Sequence, residues 1–239
     1  MNAKMLSVGF GVLFTSSMAM AASATAVSVA SNGGSASSSA TATGRANATS
    51  YASAINGGRA ISNADAFARG RGAAIANSVA MADRGLAVSN SSARARGRFG
   101  GTALARSDSV AATIGGVAVS NSRARSVGRF FGRPESEALA TATSVGGTAI
   151  SDGEAISDGL RGGRAVSVSD SLADTWGGVA HSRVRAVSSA DRFGSSQTNG
   201  IGISVSSPRR FSRANVRAVG RAYRVGRSRV SASAVEIRD

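Results

Sequence analysis

The feature that most limits what this chain can become is a short recurring unit. It consists of Ala, an apolar residue, a small residue and then Asn or Asp, with a second apolar residue four positions later. Ala60 is followed by Ile61, Asn63 and Phe67; Ala74 by Ile75, Asn77 and Met81; Ala149 by Ile150, Asp152 and Ile156. Further copies begin at Ala87, Ala103, Ala118, Ala138, Ala165 and Ala180. A period of roughly 15 residues kept over this many copies is the signature of a solenoid, in which each unit buries its face only against its neighbours. The uneven spacing around Gly128–Glu137 (GRFFGRPESE) reads as a loop inserted into one coil.

Small and larger residues alternate within each unit, which is the strand period. A nine-residue strand such as Ala60 to Ala68 spans about 30 Å, and the rest of one unit can return only about 20 Å. The strand must therefore break in the middle, at the Asn/Asp slot, where Asn63, Asn77, Asn90, Asn121 and Asp152 stand. Asn and Asp tolerate the turn conformation that such a break needs. The second reversal falls at glycine pairs such as Gly115-Gly116, Gly146-Gly147 and Gly177-Gly178. The expected fold class is all-β: a repetitive parallel β-solenoid or β-roll with coils of about 15 residues and an Asn/Asp ladder along one edge.

Two readings of the interior follow. In one, Ile61, Ile75, Val88, Leu104, Val119, Leu139, Ile150 and Val166 point inward as one apolar column, and Phe67, Met81, Val110, Val145, Ile156, Leu172 and Val187 as another. In the other, the alanines and serines interlock and the larger residues form an outer association surface. Arg94 and Arg125 occupy the second apolar slot of two units, which counts against the first reading because unpaired buried charge is very costly. Burial of apolar surface is nonetheless the main driving force available, which favours it. On that reading Ile150→Asp should unfold the chain. Phe99, Phe131, Trp176 and Phe193, each beside a glycine turn, are expected to cover the turn edge.

At Asn77-Ser78-Val79-Ala80-Met81 the chain resembles the repeats of trimeric autotransporter adhesin heads, and Asp108-Ser109-Val110-Ala111 and Thr143-Ser144-Val145-Gly146 are similar. The resemblance covers about Ala60 to Gly194 and includes neither a heptad stalk nor barrel-forming strands. It implies a left-handed parallel β-roll, trimerisation and adhesion to host matrix or other cells.

The chain divides into four segments. Residues 1–21 read as a signal peptide: Lys4 supplies a charge, Met5 to Met20 is mostly apolar, and Ala19-Met20-Ala21 is a small-x-small cleavage site. Residues 22–58 are an Ala/Ser/Gly-rich leader or weak first coils, 59–194 the repeat body, and 195–239 an Arg-rich C-terminal segment, helical or disordered after Pro208, whose end, Val230 to Ile237, alternates again as a candidate closing strand. No later stretch is long and apolar enough for a membrane helix, so the expectation is export without a transmembrane anchor. There is no cysteine to staple the fold. Val, Leu, Ile and Phe make up just under a fifth of the chain and the formal net charge is +15. That sits at the threshold of disorder, and regular phasing of the few apolar residues is what argues for order.

Lys4 is the sole lysine, so the positive charge of the mature chain is all arginine. The planar guanidinium fork suits phosphate, sulfate and carboxylate. Arg209, Arg210, Arg213, Arg217, Arg221, Arg224, Arg227 and Arg229 lie in one stretch with no acidic residue among them, and are the candidate polyanion-binding residues. Anionic polysaccharide, lipopolysaccharide and extracellular DNA are the candidate partners, alongside a second copy of the chain. No catalytic residues, metal ligands, cofactor or small-molecule substrate are expected. His181 is the sole histidine and sits in an apolar slot; the turn-proximal Asp83, Asp158, Asp174 and Asp191 lack the G-G-x-G-x-D context of repeat calcium sites. The chain reads as a non-enzymatic, secreted structural or adhesive protein of the cell surface or biofilm matrix. The alternative is a soluble, secreted solenoid that binds polyanions or ice without assembling.

Overall fold

The computed structural model describes residues 21–31, 33–70, 72–97, 101–192, 194–207, 211–224 and 226–238. The segment read as a signal peptide lies, up to Met20, outside the described residues, as do Phe99, Phe193, Pro208, Arg209 and Arg210. The described residues form strands and turns with no helix. The strands are β1 (Ala21–Ala30), β2 (Ser35–Ala54), β3 (Arg59–Arg69), β4 (Gly72–Asp83), β5 (Leu86–Gly97), β6 (Thr102–Ile114) and β7 (Val117–Arg129), followed by β8 (Arg133–Val145), β9 (Thr148–Leu160), β10 (Arg164–Trp176), β11 (Val179–Ala190), β12 (Ser195–Ser207), β13 (Ser212–Ala222) and β14 (Arg227–Arg238).

Every pairing is parallel, and from β3 onward successive strands alternate between two stacked layers. The odd layer runs β3, β5, β7, β9, β11, β13; the even layer runs β4, β6, β8, β10, β12, β14. The long β2 serves both: its first half pairs with β3 and its second half with β4 and β1. The architecture is the expected parallel β-solenoid, but the coil is twice the expected length. Leu86 sits beside Val117, and Val117 beside Thr148, so one coil takes about 31 residues. Each 15-residue unit is a single unbroken arm, and the following unit is the return arm. The length argument for a break at the Asn/Asp slot assumed that one unit must both leave and return. Asn63, Asn90 and Asn121 are therefore mid-strand, on the outer surface, and the ladder they form lies on a sheet face.

Gly128–Glu137 is no inserted loop. β7 and β8 are separated only by Phe130 to Gly132, and Pro134 lies buried in β8, in register with Ala103. Gly128 makes room for it: a Cβ at Gly128 would lie 2.7 Å from Pro134 Cδ. The C-terminal segment is likewise neither helix nor tail, because β12, β13 and β14 continue both layers in register.

The interior is the second of the two readings. Ala60, Ser62, Ala64, Ala66 and Ala68 are buried, as are Ala149, Ser151, Ala155 and Ser157. Ile61, Val88, Val119 and Ile150 point outward, and Met81, Leu139 and Val145 are exposed. Strict alternation decides this. In an unbroken strand Ile61 and Phe67 share a face with Asn63, Asp65 and Arg69, so burying the apolar pair would bury the charges too.

The small side chains let the layers approach until a serine hydroxyl on one meets the backbone of the other. Ser78 Oγ donates to Ser62 O at 2.7 Å, Ser89 Oγ to Ser78 O at 2.7 Å, Ser109 Oγ to Ser89 O at 2.7 Å and Ser120 Oγ to Ser109 O at 2.6 Å. After Ala140 the zigzag resumes through Ser151, Ser171 and Ser182. These hydroxyls use the second lone pair of carbonyls already engaged in the ladders, so burying them leaves their O–H satisfied. The turns are packed as closely. Gly146 has φ of 71°, and a Cβ on Gly147 would fall 1.8 Å from Gly116 O.

Candidate polyanion-binding face

Coil closure decides which outward side chains become neighbours. On the odd layer the outward columns are set by register. Asn63, Asn90, Asn121, Asp152, Arg183 and Asn215 form one column; Asp65, Ser92, Arg123, Glu154, Arg185 and Arg217 form the next. Phe67, Arg94, Arg125 and Ile156 stand beyond them, and further out Arg69, Arg96, Val127 and Asp158. Adjacent strands lie about 4.8 Å apart, so each column is a ladder of side chains at that pitch.

This face is strongly basic. Among the described residues, arginines project from every strand of the odd layer except β9, which instead supplies Asp152, Glu154 and Asp158; Asp65 of β3 is the fourth acidic residue. On the even face Arg45, Arg106, Arg133, Arg164, Arg227 and Arg229 are balanced by Asp83, Asp108, Glu135, Glu137, Asp170 and Asp174. Along the chain the two signs look mixed; in the fold they are sorted by layer.

The amides of the first column bond to one another. Asn90 Nδ2 donates to Asn63 Oδ1 at 2.9 Å and Asn121 Nδ2 to Asn90 Oδ1 at 2.8 Å. Each link uses one of an amide's two N–H groups and leaves the other for a ligand. In the second column Glu154 is held from both sides: Arg123 Nε is 2.8 Å from its Oε2 and Arg185 Nη1 is 3.1 Å from its Oε1. The two arginine side chains remain 65% and 55% exposed, so most of each fork is still presented to solvent. The two columns, from Asn63 to Arg183 and from Asp65 to Arg185, line a groove of about 540 Å³.

The even face differs in kind. Val79, Val110, Thr141, Leu172 and Ile203 form one outward ladder. At the edge Ile114, Val145 and Trp176 form another, with exposures of 59%, 52% and 67%. Trp176 and Phe131 thus stand out from the turn edge instead of covering it, although Phe131 does lie against Gly162. Asp170, between Leu139 and Ile201, has its carboxyl pKa raised by burial and by the neighbouring Glu137, partly offset by a backbone hydrogen bond from Ile201.

The arginines singled out from the sequence do not form one patch. Arg213, Arg217 and Arg221 project from the outer face of β13, where they extend the basic face; Arg224 lies in a turn with φ of 53°; Arg227 and Arg229 belong to β14 in the other layer. Missed were Arg94, Arg96, Arg123, Arg125, Arg183 and Arg185. Their signal is an R-x-R pair in β5, β7 and β11, all strands of one layer. His181 is also on this face, beside Ile150 and Arg213. Among the described residues no cluster of His, Cys, Asp or Glu could hold a metal ion, and no helix is long and apolar enough to cross a membrane.

Comparison of the chain with protein-family models, curated proteins and solved structures finds no match.

Proposed function

We propose that this chain is a secreted structural or adhesive protein that self-associates at the cell surface or in an extracellular matrix and draws polyanions to itself. The observation that carries this reading is the contrast between its two broad faces. One has balanced charge and a strongly exposed apolar edge at Ile114, Val145 and Trp176; the other carries a field of arginines beside its own half-buried ladder of Ile61, Val88, Val119 and Ile150. An exposed apolar patch rimmed by polar residues is the usual mark of an association surface. A field of one sign raises the local concentration of oppositely charged polymers. The resemblance of its repeats to the heads of trimeric autotransporter adhesins supports an adhesive role, and the signal-like N-terminal stretch supports export. A scaffold held by backbone ladders and interlocked alanines needs neither disulfides nor metals.

Sedimentation of the mature chain over a wide concentration range, paired with electron microscopy, tests the reading. Oligomers or fibres that grow with concentration are expected. A strictly monomeric, fibre-free protein at high concentration overturns self-association and leaves the soluble polyanion-binding alternative, which the basic face would serve equally well.

A further inference from the structure

Resting on the polyanion half of that reading, we infer that the groove on the outer face of the odd layer binds a linear carboxylated polysaccharide laid along the solenoid axis, across the strands. Two kinds of group follow one another along that groove, amides on β3, β5 and β7 and arginine forks on β7 and β11. Asn63, Asn90 and Asn121 offer a ladder of spare amide N–H groups, the chemistry that recognises sugar hydroxyls. Arg123 and Arg185 offer exposed guanidinium forks, the chemistry that recognises carboxylates. The amides repeat at the strand spacing of about 4.8 Å, close to the rise of one pyranose unit in an extended chain, and the two forks, on either side of Glu154, at about twice that, so successive sugars meet successive amides and every second sugar beyond them meets a fork.

The acidic residues choose between polyanions. Asp152 and Glu154 lie in the middle of the groove. A DNA backbone, charged at every step, has no hydroxyl along it to donate to Asp152, so nothing offsets the repulsion there. A polysaccharide presents hydroxyls between its carboxylates, and those hydroxyls can donate to Asp152. The rings on this face make the same choice. Single-stranded nucleic acid is held largely by stacking on aromatic side chains. Among the described residues no aromatic ring lines the groove, and Arg69 lies over the nearby Phe67 at 5.1 Å. That leaves the bases no stacking platform.

The pairing of Glu154 with both arginines has a consequence for affinity. It fixes the two side chains in place before ligand arrives, so less rotamer entropy is lost on binding. The amide ladder is fixed in the same way, by its own hydrogen bonds.

The test uses the mature chain and three probes: polygalacturonate, neutral dextran and a single-stranded DNA oligonucleotide, each titrated at several salt concentrations. The variants are Arg123→Ala with Arg185→Ala, the same pair changed to Lys, Asn90→Ala with Asn121→Ala, and Arg106→Ala with Arg164→Ala on the even face. Circular dichroism checks that each retains the fold. Polygalacturonate should bind the wild type and dextran should not. The alanine arginine pair should weaken polygalacturonate roughly tenfold or more and flatten the salt dependence. The lysine pair should restore the salt slope but only part of the affinity, because a point charge replaces the fork. The asparagine pair should weaken polygalacturonate and leave DNA unchanged. Equal binding by the wild type and both groove variants overturns the placement, and loss in the even-face variant puts the site elsewhere. DNA bound as tightly as polygalacturonate, with no effect of the asparagines, replaces saccharide recognition by simple charge attraction. Failure of the wild type to bind any polyanion overturns the polyanion reading as well.

Discussion

Val216 of β13 and Gly202 of β12 face each other across the core, and the one has the volume that the other lacks. A Cβ on Gly202 would lie 2.8 Å from Val216 Cγ2. One rung earlier Val184 is 1% exposed, and Gly200 stands opposite both valines, where a Cβ would be 3.1 Å from Val184 Cγ1. Elsewhere the core is mostly alanine and serine, with Thr175, Thr198 and Pro134 among the few larger buried side chains. Here it is valine against glycine, so the gap between the layers is kept while its contents change. Interiors are packed at crystal-like density, and such compensation follows from it.

Gly202→Ala should therefore destabilise the chain by about 1–3 kcal/mol through overpacking. Adding Val216→Ala should recover much of that loss. A double-mutant cycle from urea unfolding checks it; additive effects would mean that the two positions do not share space.

The inverted core changes which substitutions matter. Ser151 is fully buried, and its Oγ donates to Ala140 O at 2.7 Å. Ser151→Leu should force the layers apart and cost about 3 kcal/mol or more. Its neighbour Ile150 points outward, so Ile150→Asp should cost only about 1 kcal/mol or less. The reverse order in chemical melts would restore the reading in which the larger apolar residues face inward.

Asp170 gives a dependence on pH. Burial, then Glu137, raises its pKa above the ordinary 3.8, so the charged carboxylate is disfavoured in the folded chain. The sign follows from linkage: the penalty is absent well below 3.8, grows as pH rises through that value and is complete above the raised folded pKa. Asp170→Asn should thus be more stable than the wild type at neutral pH, with the advantage vanishing in strong acid. Melts at a series of pH values read this directly, and an advantage that does not change with pH would point to a cause other than titration.

Trp176 and Val145 are neighbours on adjacent rungs of the even face, and both are more than half exposed. Replacing both with Ser should reduce self-association in sedimentation experiments while leaving folding stability within about 0.5 kcal/mol of the wild type. Unchanged assembly would remove this ladder from the association surface.

Much of this architecture could be read from residue order alone. Alternation made the strands, the recurring Ala-apolar unit made them repeat, and the glycine pairs placed the reversals, since Gly146 and Gly147 answer to local constraints of φ and close approach. Residue order could not say how many units close a coil. The spacing from Ala118 to Ala149 is the same whether the chain turns once or twice between them, and only packing of one arm on the next decides. From that single choice the rest followed. With one unbroken arm per unit, Ile61 had to share a face with Asp65 and Arg69, which sent the alanines and serines inward. With two arms per coil, alternate units came to lie on opposite layers. Arg94 was thereby stacked beside Arg125, and Arg123 and Arg185 were set on either side of Glu154, while Asp108, Glu137 and Asp170 were carried to the other side. The composition determined how much charge the protein carries; where that charge stands is a property of coil closure, because neighbours in a solenoid are set by register between coils and not by distance along the chain.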